Sequence, residues 1–394
     1  MLADKDKCTG CAACFSICPA NAIKMEADST GFLYPQVNED LCTNCGKCQR
    51  VCPVISQTKK NASFDPNIYI FQHSDENVRQ QSTSGGAFSA IAEEIIKKGG
   101  VVFGASFDED WCVRHTYTET LEGLAQFRNS KYVQSEIRDT YKEAKKFLEQ
   151  KRLVCFSGTP CQIHGLVKFL GKDYENLITV DLICLAVPSP KVFKKYLELR
   201  KNDVSDIKNI QFRNKDFGYS YPTMLIKGDG KRKLYRNGSE SDEWLRLFLK
   251  KYSTRNSCKN CLAQTNRASD FTIYDCNNIY EKNLEIDDDK GTSNIIVWTE
   301  KANNLFAQFC YKHTIIKSDE TVSRNPKKIV QNNTNNFDYE IFYKDLDELT
   351  AEAFFRKYVP MSLKIKLIRF ARFASYKLGI YKKISAVIRA KRKK

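Results

Sequence analysis

Apolar residues are distributed unevenly along the chain, and their spacing divides it into stretches of different character. From residue 67 to about 201, short apolar runs alternate with longer amphipathic ones. Residues 68–71, 101–105, 153–156 and 177–184 are short runs bounded by Gly, Pro or polar residues, the signature of buried strands. Phe88, Ile91, Ala92, Ile95 and Ile96 recur at helical spacing across residues 85–98, and Gly99-Gly100 closes that helix. Further helices are expected over about residues 139–150, 161–170 and 189–201. Strand–helix alternation of this length predicts a largely parallel sheet with helices packed on it. Beyond Asn202 the elements shorten and read as more antiparallel.

Before residue 57 the apolar period gives way to cysteine. Cys8, Cys11, Cys14 and Cys18 precede Pro19, and Cys42, Cys45, Cys48 and Cys52 precede Pro53, with identical spacing. This is the ligand run of a bacterial two-cluster ferredoxin. Three thiolates spaced by two residues hold three corners of a cubane, and the fourth, carried onward at proline, ligates the other cluster. The expected sets are Cys8, Cys11, Cys14 and Cys52 for one cluster, and Cys42, Cys45, Cys48 and Cys18 for the other. Zinc binding or a disulfide framework would not require two matching four-thiol halves. Each half is expected to add a short strand pair around a short helix, so a domain over residues 1–57 depends on its clusters for a core. Residues 58–66 are polar and read as a linker into a larger domain over residues 67–355.

Composition sharpens this picture in two places. Sixteen cysteines, no apolar leader in residues 1–7 and no run of about 18 apolar residues predict a cytoplasmic, reducing and anoxic setting. The net charge of +16 is concentrated at one end: residues 361–394 hold twelve Lys or Arg and no acidic residue. The body is therefore not a basic nucleic-acid surface, and no nucleic-acid partner is expected. In that tail Leu363, Ile365, Leu367, Ile368, Phe370 and Phe373 interleave with the cations. A basic amphipathic helix of this kind lies on an anionic leaflet, each cation contributing about 1 kcal/mol. Peripheral association with the inner face of the cell membrane is the expectation; nucleic-acid binding and a plain solvated helix are the alternatives.

Four more cysteines stand in suggestive places. Cys161 opens a helix after a strand and a Gly-Thr-Pro turn, Cys184 ends a strand, and Cys258 and Cys261 form a Cys-x-x-Cys pair. In α/β sheets, strand ends converge on one functional edge, so these thiols can meet at a third cluster. Buried inert thiols or a zinc pair are the alternatives. Ser82-Thr83-Ser84-Gly85-Gly86 sits at a helix start, where free N–H groups can hold a phosphate; a Ser/Thr cap is the plainer reading. Lys131, Arg213 and Lys215 are each either a cation beside a ligand or a solvated charge. His164, one turn after Cys161, either tunes the third cluster or is a packed or surface residue. His73, His115 and His313 show no catalytic spacing. Cys112, Cys276 and Cys310 have no assignable partner, and Cys155 reads as a core strand residue.

Ser82-Thr83-Ser84-Gly85-Gly86, residues 130–135 (Ser-Lys-Tyr-Val-Gln-Ser), residues 158–162 (Gly-Thr-Pro-Cys-Gln), residues 181–184 (Asp-Leu-Ile-Cys) and Cys258-x-x-Cys261 occur in this order. So do residues 212–215 (Phe-Arg-Asn-Lys), Arg267-x-Ser269-Asp270 and Gly291-Thr292-Ser293. Over roughly residues 1–345 the chain resembles the coenzyme F-420 hydrogenase/dehydrogenase β-subunit family, in the bacterial form with a fused N-terminal ferredoxin. The resemblance implies an α+β fold: a two-cluster ferredoxin-like domain, then a larger α/β flavin and iron–sulfur domain, then the basic tail. It implies a third [4Fe–4S] cluster on Cys161, Cys184, Cys258 and Cys261. It also implies FAD, with Ser82, Ser84, Gly85, Gly86, Lys131 and Thr159 as contacts. Two departures stand out. Leu185 occupies a position where relatives commonly carry histidine. Tyr274-Asp275-Cys276-Asn277-Asn278 replaces the usual Gly-Asp followed by aromatic residues, so flavin or substrate contacts are expected to differ there. The function implied is an oxidoreductase passing electrons from a soluble donor such as ferredoxin, through clusters, to a flavin and a two-electron acceptor. A non-catalytic subunit that docks a partner enzyme is the competing class. No general acid or base can be named.

Overall fold

The computed structural model describes residues 2–56, 64–264, 266–276, 279, 285–318, 337–381 and 384. Most of the expected linker, Asn277, Asn278 and nearly all of the tail beyond Tyr381 lie outside the described residues.

In the N-terminal module the two cysteine loops fold alike. Gly10 and Asn44, and then Ala12 and Gly46, take left-handed backbone angles at matched positions (φ 68°, 52°, 60° and 67°). Left-handed residues within a turn curl the chain so that successive N–H groups face one centre, a concavity typical of iron–sulfur sites. One-turn helices follow, α1 (Ala13–Ile17) and α2 (Lys47–Arg50). Between the halves, β1 (Ile23–Ala27) pairs antiparallel with β2 (Leu33–Val37). One strand pair per half was expected. Among the described residues there is a single pair, because the chain after Cys52 continues in turns and has no alternating apolar run to offer a partner strand.

The larger part is built on β3 (Asn67–Gln72), β4 (Val101–Phe107), β5 (Val113–Thr118), β6 (Val154–Ser157) and β7 (Leu177–Leu182). After these come β8 (Ile207–Asn214), β9 (Thr223–Gly228), β10 (Leu234–Gly238), β11 (Phe271–Asp275), β12 (Ser293–Val297) and β13 (Thr314–Lys317). Eight strands form the main sheet in the order β13-β3-β12-β11-β7-β6-β4-β5, and β8 to β10 form a separate antiparallel sheet. Only β4, β6, β7 and β11 pair in parallel; β5 pairs antiparallel with β4 on one side, and β12, β3 and β13 follow β11 in successive antiparallel pairs on the other. The sheet is thus mixed rather than largely parallel. Residues 108–112 join β4 to β5, too few for the crossover that a parallel neighbour needs.

Both faces of the central strands are covered, which is why they read as nearly continuous apolar runs. Val102, Cys155 and Ile178 pack with α4 (Ala87–Lys97), which follows the short α3 (Glu76–Gln81), and with the helix Glu300–Phe309. Their neighbours Val101, Phe103, Val154, Phe156 and Leu177 pack with α5 (Thr140–Glu149) and α6 (Pro160–Leu170) on the other face, the alternation a strand dictates. Cys155 is the core strand residue its setting suggested. A second core gathers α7 (Pro190–Arg200), β8 to β10 and α8 (Glu243–Leu249) around Trp244, and extends through the helices Tyr339–Glu348 and Ala351–Tyr358 to Val359.

The N-terminal module does not stand apart with only its clusters as core. Cys11, Ala12, Ala13 and Val51 belong to the same apolar cluster as Tyr141, Phe156 and Leu166. The β1–β2 turn is also fastened to the start of α7, with the Ser189 hydroxyl donating to the Thr30 carbonyl at 2.5 Å and Lys191 to that of Ser29 at 2.8 Å. The tightest approach is at Gly165. A methyl there would lie 2.9 Å from Cys11 Cβ, 3.0 Å from Cys11 Sγ and 2.9 Å from Tyr141 Oη. Gly165→Ala should therefore overpack the seam and destabilise the chain by about 1–3 kcal/mol, read as a lowered denaturant midpoint. An unchanged midpoint would mean that the module does not rest on α6.

Candidate redox site

A cavity of about 610 Å³ opens at the carboxyl ends of the parallel strands, within the range of small-molecule sites. Residues 157–159 after β6, 182–187 after β7 and the end of β11 line it, together with the first residues of β12. This is the edge at which α/β sheets carry their ligands, because every parallel strand delivers a loop there.

Two helices point their N-termini at this edge, and they differ. In α6 the Gln162 side chain accepts from the Thr159 N–H at 2.9 Å, so that start is satisfied internally. In α4 the cap is Gly86, left-handed at φ 84°, and among the described residues no side chain caps the first turn. Nearby hydroxyls are engaged elsewhere: Ser82 donates to the Val78 carbonyl, Thr83 bonds Ser130, and Ser84 bonds Ser293 at 2.8 Å. The Ser/Thr-cap reading is thereby corrected. The bare first turn of α4, Ala87 to Ser89, lines the cavity and offers N–H groups to an anion. Among the described residues, buried Arg213 Nε and Asn294 Oδ1, also in the wall, have no hydrogen-bond partner, as fits a site built for a polar ligand. These features fit a flavin nucleotide.

The four downstream thiols come together from separate segments. Cys161 lies in the first turn of α6, 3.2 Å from Thr159 Oγ1, and Cys184 two residues beyond β7. Cys258 lies in the turn Asn256–Asn260, and Cys261 ends it. Burial pushes the Cys161 thiol up to about 11, with Cys261 adding to the effect. Burial and then Cys161 push Cys258 up to about 12, and Cys184 is raised by burial and by Cys258, Cys161 and Cys261. Each thiol thus lies within electrostatic reach of the others. Such a group becomes fully ionised only around a positive centre, as iron ligation provides. Among the described residues, no three His, Cys, Asp or Glu side chains gather as closely as a single metal ion needs. A four-iron cluster instead takes each thiolate on a separate iron. Cys161 and Cys184 also line the cavity, so the group abuts that space.

The first ferredoxin loop faces this group. Cys14 is pushed up to about 12, by burial and then by Cys8, with Cys52 and Cys48 also contributing. Burial raises Cys11, whose neighbours include Cys14, Cys8 and, across the seam, Cys161. For Cys18, Cys42, Cys45 and Cys48 the grouping rests on the matched loop of the second half.

The other residues flagged in the sequence separate into wall and scaffold. Ser82, Ser84, Gly86, Lys131 and Thr159 line the cavity, whereas Gly85 does not. A side chain on Gly85 would meet the Phe71 carbonyl at 2.3 Å, so it is a packing glycine against the sheet. Lys131 is not a solvated charge: its amine donates to the carbonyls of Gln126 and Arg128, and burial lowers it to about 7. Lys215 does not line the cavity; it spends its amine on the carbonyls of Arg79, Ser84 and Lys290 and braces the backbone behind the wall. Arg213 stands in the wall, paired with Asp275 at 2.9 Å. Leu185 and Tyr274 are wall residues too, and Cys276 is buried beside Ile70 and Ile279. His164 is a packed residue, its Nε2 2.5 Å from the Asn266 carbonyl.

Two residues escaped sequence reasoning. His115, held between Ser135 Oγ and the Ser157 carbonyl, lines the cavity and is lowered by burial to about 4. Arg255 is buried between the two cysteine groups; its place three residues before Cys258 was the only sequence signal for it.

Comparison with known proteins gives matches over both parts of the chain. Residues 151–322 match the family described as the C terminus of the coenzyme F420 hydrogenase/dehydrogenase beta subunit. Residues 7–55 and 34–93 each match a 4Fe-4S dicluster domain. No curated protein matches the chain. A solved structure similar to it comes from the xenon-derivatized F420-reducing [NiFe] hydrogenase complex of Methanosarcina barkeri. The likeness is 14% identity over 74% of this chain and 90% of that one, with a TM-score of 0.44. The chain thus joins an N-terminal 4Fe–4S dicluster domain to a C-terminal domain of the coenzyme F420 hydrogenase/dehydrogenase β-subunit family.

Proposed function

We propose that this chain is an iron–sulfur flavoprotein oxidoreductase that takes electrons from a ferredoxin-like donor and delivers them in pairs at a flavin, FAD, to an acceptor in the cavity. The observation that carries this reading is the meeting of Cys161, Cys184, Cys258 and Cys261 on the cavity side of α6, with Cys11 of the N-terminal module facing Cys161. Cubanes exchange single electrons and a flavin accumulates two, so this order converts a one-electron supply into two-electron chemistry. The residues divide the work. The α4 start receives the phosphates, Arg213 supplies positive charge in the wall, Lys131 offers a buried amine there, and the apolar seam around Gly165 keeps water from the path between the cysteine groups.

The family's description as a beta subunit favours a second reading, in which the chain hands electrons to a partner protein that holds the acceptor. Turnover by the isolated chain with a reduced donor separates the two.

Within the same proposal, the C-terminal helix Leu363–Lys377 places the protein at the inner face of the cell membrane. No helix among the described residues is long and apolar enough to cross a membrane. The helix is instead docked by one end, with Tyr376 Oη donating to the Asp216 carbonyl at 2.9 Å and Arg372 pairing with Glu240. At its other end Leu363, Leu367 and Phe370 are 77%, 68% and 72% exposed, one apolar stripe among Lys364, Lys366 and Arg369.

Anaerobically purified protein should carry about twelve irons per chain and release one flavin on denaturation. Cys184→Ala should lower iron to about eight while leaving the N-terminal pair. About eight irons in the unaltered chain, or no flavin, contradicts the proposal. Vesicles rich in phosphatidylserine should pull down the full chain but not a Leu363→Asp/Leu367→Asp/Phe370→Asp variant. Equal recovery of the two chains would remove the membrane role.

A further inference from the structure

Arg255 is 1% exposed, and its bonds do not resemble those of an ordinary buried arginine. Nε donates to the Cys8 carbonyl at 2.8 Å, and one terminal nitrogen, Nη2, to that of Leu33 at 3.0 Å. Nη2 also lies 3.8 Å from Cys8 Sγ, and Nη1 donates to Gln134 Oε1 at 3.0 Å. The rings of Tyr34 and Phe32 flank it, with centroids at 4.1 and 5.3 Å. Among the described residues no carboxylate pairs with it; its partners are carbonyls, an amide and a sulfur. A guanidinium taken out of water without an anion is strongly disfavoured. Something negative is therefore expected beside it.

The surroundings name that anion. The backbone of Arg255 belongs to the inner cysteine loop: its N–H donates to the Val187 carbonyl, and its carbonyl accepts from the Cys258 N–H, each at 3.0 Å. Its backbone thereby fixes the guanidinium directly before the turn that carries Cys258 and ends at Cys261. Its side chain reaches the outer loop at Cys8. Gly10, in the outer loop, leaves the room: a side chain there would stand 2.7 Å from Nη1.

We infer that Arg255 is the shared counter-ion of the outer cluster on Cys8, Cys11, Cys14 and Cys52 and the inner cluster on Cys161, Cys184, Cys258 and Cys261. It lies against the ligands of both, so it stabilises the added negative charge of reduction on either side. One electron leaving the outer cluster oxidises it and reduces the inner one by the same amount, and the guanidinium keeps its proton throughout. A single fixed cation thus holds both potentials up together. This inference deepens the functional reading above and rests on its assignment of the cysteines. Arg255 acts through the ligands and is a positioning residue.

The test uses Arg255→Gln and Arg255→Lys holoproteins, prepared anaerobically, with iron counted before a redox titration followed by electron paramagnetic resonance. Arg255→Gln should shift the midpoint potentials of two clusters to more negative values and leave the remaining one in place. Arg255→Lys, which keeps the charge, should restore most of that shift. Unchanged potentials at full iron, or equal shifts in both variants, overturn the inference. Should Arg255→Gln fail to hold its iron, Arg255→Lys decides. Iron restored to the unaltered level supports a need for charge, and the same loss in both assigns the role to the shape of the fork instead. An unaltered chain with about eight irons is a different failure: it removes the inner cluster itself.

Discussion

A thiolate buried among other thiolates is stable only against positive charge, and this one requirement organises the protein. Two cysteine groups lie back to back across the seam between the N-terminal module and α6. Neither is formed by one continuous segment. The inner group draws on the start of α6, the loop after β7 and the turn Asn256–Asn260 with its end, and the outer one on both halves of the repeat. The fold exists in this form because several loops must reach one place, and an α/β sheet brings its loops to one edge.

The seam is held by means that differ in kind. Apolar contact sets the distance, through Ala12, Ala13 and Val51 against the α5–α6 layer, and Gly165 allows the closest approach. Directional bonds set the register: Gln134 in the cavity wall reaches the Thr9 carbonyl at 3.4 Å and accepts from Arg255 at 3.0 Å. The same few residues therefore fix cavity wall, outer loop and inner loop relative to one another. The absence of a separate core in the N-terminal module follows naturally, since a module of this size buries too little apolar surface to stand alone.

What could be read from residue order was whatever repeats locally. The ferredoxin spacing, the strands at 101–107 and 154–157 and the helices around them are periodic, and their positions follow from that period. β5, Val-Arg-His-Thr-Tyr-Thr, was invisible because only Val113, His115 and Thr118 of this edge strand are buried, and two of those three are of polar type. Gly85, Gly165, Lys215 and Arg255 were misread or missed for one shared reason: their roles lie in contacts with segments far away in sequence, on which local composition is silent. Arg255 meets Cys8 across 247 positions, and Lys215 meets Ser84 across 131. The eight N-terminal cysteines stand out because a 4Fe–4S dicluster domain imposes a spacing, whereas a buried arginine carries none.

The account turns on the outer and inner clusters being neighbours. Electron paramagnetic resonance of the fully reduced, anaerobically prepared chain tests this directly. Two paramagnetic centres packed across one helix turn should split or broaden each other's signals, and Cys184→Ala should remove that interaction while sparing the N-terminal pair. A spectrum that is the simple sum of magnetically isolated clusters, unchanged by Cys184→Ala, would contradict the account.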